Sequence, residues 1–118
     1  MKLINNEEIE LCLEVCLIAV LIDPNFIKYI KNPSEEVCLA AVNKDPYSIQ
    51  YIKNPSEKVC LESVRRNPYS IQFIENQSEE VCLIAVRLAP HSGRAIKKPS
   101  EEVCSIVANA LGHPIKFI

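Results

Sequence analysis

Six cysteines supply the most reactive side chains of this 118-residue chain. Five of them recur at intervals of 22 residues, and the sixth, Cys12, precedes Cys16 by one helical turn. Helices in a stack lie about 8–10 Å apart, whereas a disulfide needs Cα atoms within about 7 Å, so equivalent thiols should not pair. The series therefore predicts small buried hydrophobic side chains, with a metal or redox role for Cys12 and Cys16 as the alternative. The regular series is Cys16, Cys38, Cys60, Cys82 and Cys104.

Other side chains that could do chemistry are few. The two histidines, His91 and His113, lie one 22-residue period apart, and neither belongs to a metal-ligand or nucleophile motif. Glutamate pairs such as Glu35-Glu36 could suggest acid-base chemistry, but they stand at predicted helix starts, where acids oppose the helix dipole. The sequence predicts no catalytic residue, no cofactor and no metal site, and we do not expect an enzyme.

These residues recur because the chain is an array of repeats. The motif NPSEEVCLAAVNKDPYSIQYIK begins at Asn32, and related copies begin at Asn54, Asn76 and Lys98. A period of this length indicates one supersecondary unit that cannot bury its apolar face alone. Prolines at both junctions of each copy, with apolar residues three or four positions apart, predict two short helices and not strands.

The predicted fold is all-α: a right-handed α-solenoid, a HEAT- or armadillo-like superhelix, of short helix-turn-helix repeats. One domain covers residues 1–118, with repeats at about 6–31, 32–53, 54–75, 76–97 and 98–118. The first helix of a repeat is capped by either the asparagine or the serine of its Asn-Pro-Ser-Glu motif. The second helix is about two turns long and follows an Asp-Pro pair or its equivalent.

Charge and hydropathy restrict the partners. A formal net charge of −2 gives no overall cationic field for sequence-independent binding to nucleic acid or to an anionic membrane. The longest apolar stretch, residues 11–22, is interrupted by Glu14 and is shorter than the roughly 20 residues that span a bilayer. The N-terminus lacks the basic and apolar order of a signal peptide. We expect a cytoplasmic protein without a membrane partner.

The copies differ from one another in three columns near the end of the first helix. A constant column serves the stack, whereas a varying column is free to face outward. These columns lie three or four positions apart, so on helices they form one exposed ridge. The basic residues at its centre have two interpretations: they form a binding surface, or they are cations near helix C-termini that interact favourably with the helix dipole. The candidate partner-binding residues are Lys44, Glu62, Arg65, Arg66, Ile84 and Arg87, together with His91 and Arg94 of the fourth copy.

The fourth copy departs from the pattern in its second helix, residues 90–96. Gly93 replaces the isoleucine of the earlier copies, and Ala95 replaces an aromatic residue. Losing both side chains removes bulk and adds a poor helix former, so this segment should be loose, hollow or filled by another group. The two interpretations are a decayed repeat and a functional notch carrying His91 and Arg94.

The first helix, predicted to end near Leu21, is apolar nearly all round. A terminal repeat of a soluble solenoid needs a polar outer face, yet Glu14 is the single charged residue within positions 11–22. We therefore expect a homodimer through this helix, closed by a two-fold axis. A lid formed by residues 1–6, or a partner site on the same patch, is the alternative. The self-association candidates are Leu11, Leu13, Leu17, Ile18 and Leu21.

The segment NPSEEVCLAAVNKDPYSIQYIKNPSEKVCLESV resembles a family of short helical-pair repeats of unknown function found in phages, viruses and other mobile elements. The resemblance covers about residues 32–118, with a diverged copy before it, and departs from the family pattern at Gln77 and at residues 90–96. It implies the repeat architecture and supplies no catalytic residue.

Two functions follow as expectations. The first is a protein-binding helical-repeat module, which on this resemblance would be a phage or viral factor that inhibits a host defence protein in the host cytoplasm. The second is a nucleic-acid-binding module that uses the basic centre of the ridge. Salt separates them, because phosphate contacts weaken steeply with ionic strength and a mixed protein interface weakens less.

Overall fold

The computed structural model describes residues 13–112, and in this range α-helices alternate with 3₁₀ helices. The α-helices, α1 to α5, span Leu13–Ile22, Glu35–Lys44, Glu57–Arg66, Glu79–Leu88 and Glu101–Leu111. The 3₁₀ helices between them span Pro24–Tyr29, Pro46–Tyr51, Pro68–Phe73 and Pro90–Ala95. Residues 13–112 contain no strand, so the prediction of an all-α repeat is confirmed.

The second helix of each repeat has the predicted length but the tighter 3₁₀ form. Six residues make two turns at three residues per turn, and the closing bond of the second unit runs from the Ile52 amide to the Ile49 carbonyl at 3.0 Å. A proline occupies the first position, and the Asp45 carboxylate accepts a hydrogen bond from the Tyr47 amide at 3.0 Å. Asp45 also ends α2, so a single residue separates the two helices.

Serine, and not asparagine, caps the α-helices. The Ser34 hydroxyl accepts a hydrogen bond from the Val37 amide at 3.2 Å, and the serine of each later repeat does the same. Asn32 instead has φ 54°, in the left-handed region that asparagine tolerates better than most residues. Of the two caps that the sequence allowed, the structure uses the second.

Packing is sequential along the chain. Each α-helix contacts the next α-helix along the chain, and α2, α3 and α4 each contact both the 3₁₀ helix before them and the 3₁₀ helix after them. Within residues 13–112, repeats that are not neighbours do not pack on each other, and the molecule measures 60 × 22 × 17 Å. The result is an elongated stack of consecutively packed helical units.

One continuous core runs through the stack and consists of the columns that stay nearly constant between copies. In the second repeat these are Val37, Cys38, Val42 and Ile49, all at most 5% exposed. The equivalent side chains of the third repeat, Val59, Cys60, Val64 and Ile71, are buried to the same degree. The predicted burial of the cysteine column is confirmed for Cys38, Cys60 and Cys82, whereas Cys16 and Cys104 are half-buried.

The fourth 3₁₀ helix is packed at Gly93 and not hollow there. A Cβ atom at Gly93 would lie 3.2 Å from Cγ2 of Val107 and 3.5 Å from Cγ1 of Val86. Val107 occupies the column that holds Ala41, Ser63 and Ala85 in earlier copies. The volume lost at residue 93 is therefore supplied by a larger residue at 107. Of the three outcomes that the sequence allowed, the space at Gly93 is filled by another group.

Candidate functional site

The outermost residues of the predicted ridge are the last two residues of α2, α3 and α4, and Asn109 and Ala110 of α5 continue this line. In α3 these are Arg65 and Arg66, and both are exposed because the helix buries the columns of Val59, Cys60 and Val64. Glu62 and Ile84, one turn earlier in their helices, are half-buried. The predicted exposure of the ridge is therefore confirmed for these outermost residues: Asn43, Lys44, Arg65, Arg66, Arg87 and Leu88.

Most cations of the ridge have no acidic partner. Within residues 13–112, no ion pair involves Lys44, Arg65 or Arg66. Arg87 approaches Glu102 of α5 at 3.5 Å, but both side chains are more than half exposed, so the pair contributes little to stability. Three exposed positive charges near the middle of the stack are thus available to a partner.

Acidic side chains gather at the opposite end of the α-helices, where they link neighbouring repeats. The Ser56 hydroxyl donates a hydrogen bond to the Glu35 carboxylate of the preceding repeat at 2.5 Å. The same bond joins Ser78 to Glu57 at 2.7 Å and Ser100 to Glu79 at 2.8 Å. Each of these three serines therefore accepts from its own helix and donates to the preceding repeat. The bonds give the three glutamates a structural role in addition to their favourable position on the helix dipole.

Aromatic rings on the 3₁₀ helices contact one another across repeats. The Tyr47 and Phe73 rings, from successive 3₁₀ helices, meet edge to face with centroids 5.4 Å apart. At the start of the stack, the Lys28 ammonium lies 5.2 Å from the centroid of Tyr29 and 5.4 Å from that of Tyr51. The 22-residue spacing of Tyr29, Tyr51 and Phe73 is visible in the sequence, but the contacts of these rings were not predicted from it.

A notch lies where the next ring of this series would be. One repeat after Tyr47 and Phe73, the equivalent positions are Tyr69 and Ala95, and a cavity of about 390 Å³ opens beside them. His91 and Arg94 are both exposed, and the structure brings them together in this cavity, as the interpretation of a functional notch requires. Gly93 does not line it. The lining residues are Tyr69, Gln72, His91, Ser92, Arg94 and Ala95.

The side chain of Gln77 links the two 3₁₀ helices whose residues line the notch. It stands in the proline column, and its side-chain amide donates hydrogen bonds to the Ile71 carbonyl at 3.1 Å and to the Ala95 carbonyl at 2.9 Å. Its oxygen accepts a third bond from the Lys97 amide at 2.9 Å. Gln77 therefore fastens the ends of two successive 3₁₀ helices together. From the sequence it was visible only as a departure from the repeat, because its partners lie up to 20 residues away.

The exposed face of α1 is apolar. Val15, Ile18 and Ile22 are 61%, 59% and 78% exposed, and Leu13 and Leu21 are exposed as well. Phe26 and Tyr29 of the following 3₁₀ helix, with centroids 5.7 Å apart, are also exposed. Among the five self-association candidates, Leu17 is half-buried against the core, and Leu11 lies outside the described residues. Val15 and Ile22, the most exposed members of this face, are not among those five.

The buried thiols have raised pKa values and therefore low reactivity near neutral pH. Burial, aided by the charge of Glu35, raises the pKa of Cys38 to about 11, and burial with Glu57 does the same for Cys60. The pKa of Cys82 is raised by burial and by Glu79. These thiols are protonated near neutral pH and therefore poor nucleophiles. Cys12 and His113 lie outside the described residues, so the alternative role for Cys12 and Cys16 stays a prediction.

Neither a metal cluster nor a membrane span is found in residues 13–112. No three His, Cys, Asp or Glu side chains there are grouped so that they could hold a metal ion. No helix of that range has both the length and the apolar character needed to cross a bilayer. A comparison of the chain with protein-family models, curated proteins and solved structures finds no match.

Proposed function

We propose that the chain is a protein-binding helical-repeat module that recognises its partner through the ridge. The observation that carries this proposal is the contrast between columns: the buried ones stay nearly constant between repeats, and the ridge positions vary while remaining exposed. Residues that differ from repeat to repeat on one rigid stack form a surface whose pattern is not required by the fold.

The partner that fits this surface is a protein with an acidic patch. Lys44, Arg65 and Arg66 carry no ion pair within the described part of the chain, so an acidic partner would meet charges that are already free. Leu88 and the half-buried Ile84, one repeat further on, add apolar contact area beside the charges. Mixed basic and apolar character is typical of a protein interface.

A nucleic-acid-binding module is the second candidate, and the same unpaired cations support it. Against it stand the net charge of −2 and the aromatic rings, which lie on the 3₁₀ helices and not among the arginines of the ridge. A right-handed superhelix, a phage or viral origin, action in the host cytoplasm and inhibition of a host defence protein complete the proposal. The superhelical sense rests on the repeat pattern, and the origin and target rest on the sequence resemblance.

The test is a charge reversal on the ridge, Arg65→Glu with Arg66→Glu. We expect capture of the partner from host lysate to fall at least about tenfold while melting stays nearly unchanged, because exposed charges contribute little to stability. The matched control is Lys53→Glu with Lys58→Glu, which makes the same charge change at exposed positions outside the ridge. Equal losses in both variants would point to net charge alone, and full binding by the first would remove the ridge as the site.

Repeating the capture from about 50 to 300 mM salt separates the two candidates. A protein interface should lose affinity modestly over this range, whereas several phosphate contacts would weaken binding by orders of magnitude. Recovery of nucleic acid in place of a protein would establish the second candidate.

We also propose that the chain forms a homodimer through α1. Val15, Ile18 and Ile22 expose a contiguous apolar face, and a two-fold axis would cover it with its own copy. Ile18→Glu should convert a dimer to a folded monomer in sedimentation at micromolar concentration, while Glu14→Gln on the same helix should leave the mass unchanged. A monomeric wild-type chain would end this proposal.

A further inference from the structure

The 3₁₀ helices of the stack show what normally occupies the place of the notch. Beside Tyr47, that place is taken by the ring of Phe73, at a centroid distance of 5.4 Å. In the first repeat, the ring of Tyr29 occupies the same column, and the Lys28 ammonium lies 5.2 Å from its centroid. A ring in this column is therefore contacted by an aromatic neighbour from the preceding repeat or by the cation that precedes it in the chain.

The fourth repeat keeps both neighbours and lacks the ring. Tyr69 is the equivalent of Tyr47, and Arg94 stands in the column of Lys28. Between them the column carries Ala95, and the cavity of about 390 Å³ lies there. Arg94 has no ion pair within residues 13–112, so neither an acid nor a ring of this part of the chain engages it. An edge-to-face partner and a cation are both in place for a ring that this repeat does not supply.

We propose that the notch binds an aromatic side chain of a protein partner, whose ring takes the place beside Tyr69 and Arg94 that Phe73 takes beside Tyr47. The proposal rests on the protein-binding function above and names the chemistry of one contact. The cavity lies at the lower end of the volumes of ligand pockets, which suits a single ring better than a larger cofactor. Ring stacking against Tyr69 and a cation–π contact with Arg94 are the interactions that would hold it.

The notch is a built feature because its frame is held in place without the ring. Gln77 ties the Ala95 carbonyl and the Lys97 amide to the preceding repeat, and Val107 fills the space behind Gly93. The fourth 3₁₀ helix thus keeps its position although two of its large side chains are gone. The hydroxyl of Ser92 has no hydrogen-bond partner within the described residues, but neither has that of the equivalent Ser48, so this feature is not specific to the notch.

A protein ring is favoured over a nucleobase by the surroundings. The places equivalent to the notch are filled by Tyr and Phe side chains of this chain, so the shape of the site is that of such a ring. Arg94 is the single cation that lines the cavity, too little charge to follow a phosphate backbone. Phe117, the next member of the column, lies outside the described residues, and the test below includes its substitution.

The experiment is a titration of the full chain, labelled with ¹⁵N, with N-acetyl-phenylalaninamide followed by NMR. We expect saturable shifts of the Gln72, Arg94 and Ala95 amides, with a dissociation constant on the order of millimolar for so small a probe. N-acetyl-leucinamide should bind about 2- to 10-fold more weakly, because it lacks the ring. Arg94→Gln, which restores the residue of the two preceding repeats, should weaken the aromatic probe about 2- to 5-fold.

Ala95→Phe is the decisive variant, because it returns the ring to the column. It should abolish the shifts while the chain stays folded, and the matched Ala95→Ser, which leaves the notch open, should retain them. Shifts that persist in Ala95→Phe, or no saturable shifts in the wild type, would overturn the proposal. Binding that emerges only in Phe117→Ala would assign the notch to the chain's own ring, and tighter binding of adenosine monophosphate would assign it to a nucleobase.

These outcomes are independent of the ridge. If the probes fail while Arg65→Glu with Arg66→Glu still abolishes capture of a protein partner, the notch proposal falls and the proposed function stands. If the probes bind and Ala95→Phe blocks them, but the ridge variant captures its partner normally, the ridge falls and the notch remains a ring site.

Discussion

The third and fourth repeats have helices of the same type and length and differ in the side chains of their second helices. In the third, Ile71 fills the core, and the Phe73 ring covers Tyr47 of the preceding repeat. In the fourth, both side chains are cut back to Gly93 and Ala95, yet the 3₁₀ helix ends in the same way, with a bond from the Ile96 amide to the Gly93 carbonyl at 3.1 Å.

The comparison shows that the lost side-chain volume is compensated in the interior of the fourth repeat but not at its surface. Val107 restores contact behind Gly93, and Gln77 adds three hydrogen bonds across the end of the segment. Nothing within the described residues replaces the ring at Ala95, and a cavity remains there. The residues at positions 77 and 107 therefore maintain the packing of the fourth repeat without supplying a ring at its surface.

The largest expected effect comes from breaking the compensation in the core. Val107→Ala should reduce the free energy of unfolding by about 2–3 kcal/mol, because it leaves a cavity beside Gly93. Gly93→Ile alone should cost about 1–3 kcal/mol through overpacking, since its Cβ already meets Val107 at 3.2 Å. The double variant reproduces the pair Ile71 and Ala85 of the preceding repeat, and its free energy of unfolding should lie within about 1 kcal/mol of the wild-type value.

Urea unfolding of the four proteins gives the coupling between the two positions. We expect a favourable coupling of at least about 2 kcal/mol. Strictly additive losses would show that Val107 does not compensate for Gly93, and the fourth repeat would then be simply weaker than the third.

A smaller loss should follow from removing the brace at the end of the fourth 3₁₀ helix. Gln77→Ala deletes three hydrogen bonds, two of them partly buried, and we expect a loss of about 1–2 kcal/mol together with faster hydrogen exchange at the Lys97 amide. Gln50→Ala in the second repeat is the control, because its amide makes one exposed bond to the Tyr47 carbonyl and should cost about 0.5 kcal/mol at most. Unchanged protection of Lys97 would contradict the bracing role.

The smallest expected effect on stability comes from replacing the buried cysteines, which occupy the same position in the third and the fourth repeat. The folded state holds the pKa of Cys38 and Cys60 at about 11, against 9.0 for an unperturbed thiol. The fold favours the neutral thiol. The resulting contribution of each thiol to the free energy of unfolding is fully present below about pH 9 and is lost as the pH rises toward 11. Cys38→Ala with Cys60→Ala should cost about 1 kcal/mol per site at pH 7 and flatten this decline.

Differences between the double variant and the wild type, measured by urea unfolding at several pH values, remove the background from lysine and tyrosine titration. Cys82→Ala in the fourth repeat should flatten the decline in the same direction, because the pKa of Cys82 is raised by the same causes. Rapid labelling of Cys60 at pH 7 in the folded chain would contradict this account.

The sequence predicted those parts of the fold that depend on periodicity. The 22-residue step fixed the repeat, the spacing of residues such as Val37, Cys38 and Val42 gave the buried face, and the variation at Arg65 and Arg66 gave the exposed ridge. Each of these follows from local geometry, because a helix face is set by residues three and four positions apart.

What the sequence did not reveal depends on contacts between repeats. Six residues bounded by prolines suit an α-helical or a 3₁₀ turn equally well, so the 3₁₀ form was not foreseen. The fit of Val107 against Gly93 joins residues 14 positions apart, and the three bonds of Gln77 join residues 6, 18 and 20 positions apart, beyond the reach of helix periodicity. The fit of Val107 against Gly93 was visible in the sequence as a paired change between two columns. One repeat earlier, the large residue is Ile71 and its partner is the small Ala85.

The stack touches only its nearest neighbours, and this determines how it yields to stress. In such an arrangement stability is approximately a sum of the stability of each repeat and of its contacts with its two neighbours. The opening of one repeat therefore weakens the adjoining repeats and leaves more distant ones packed. A partner that binds across several repeats would hold together units that can otherwise open one at a time.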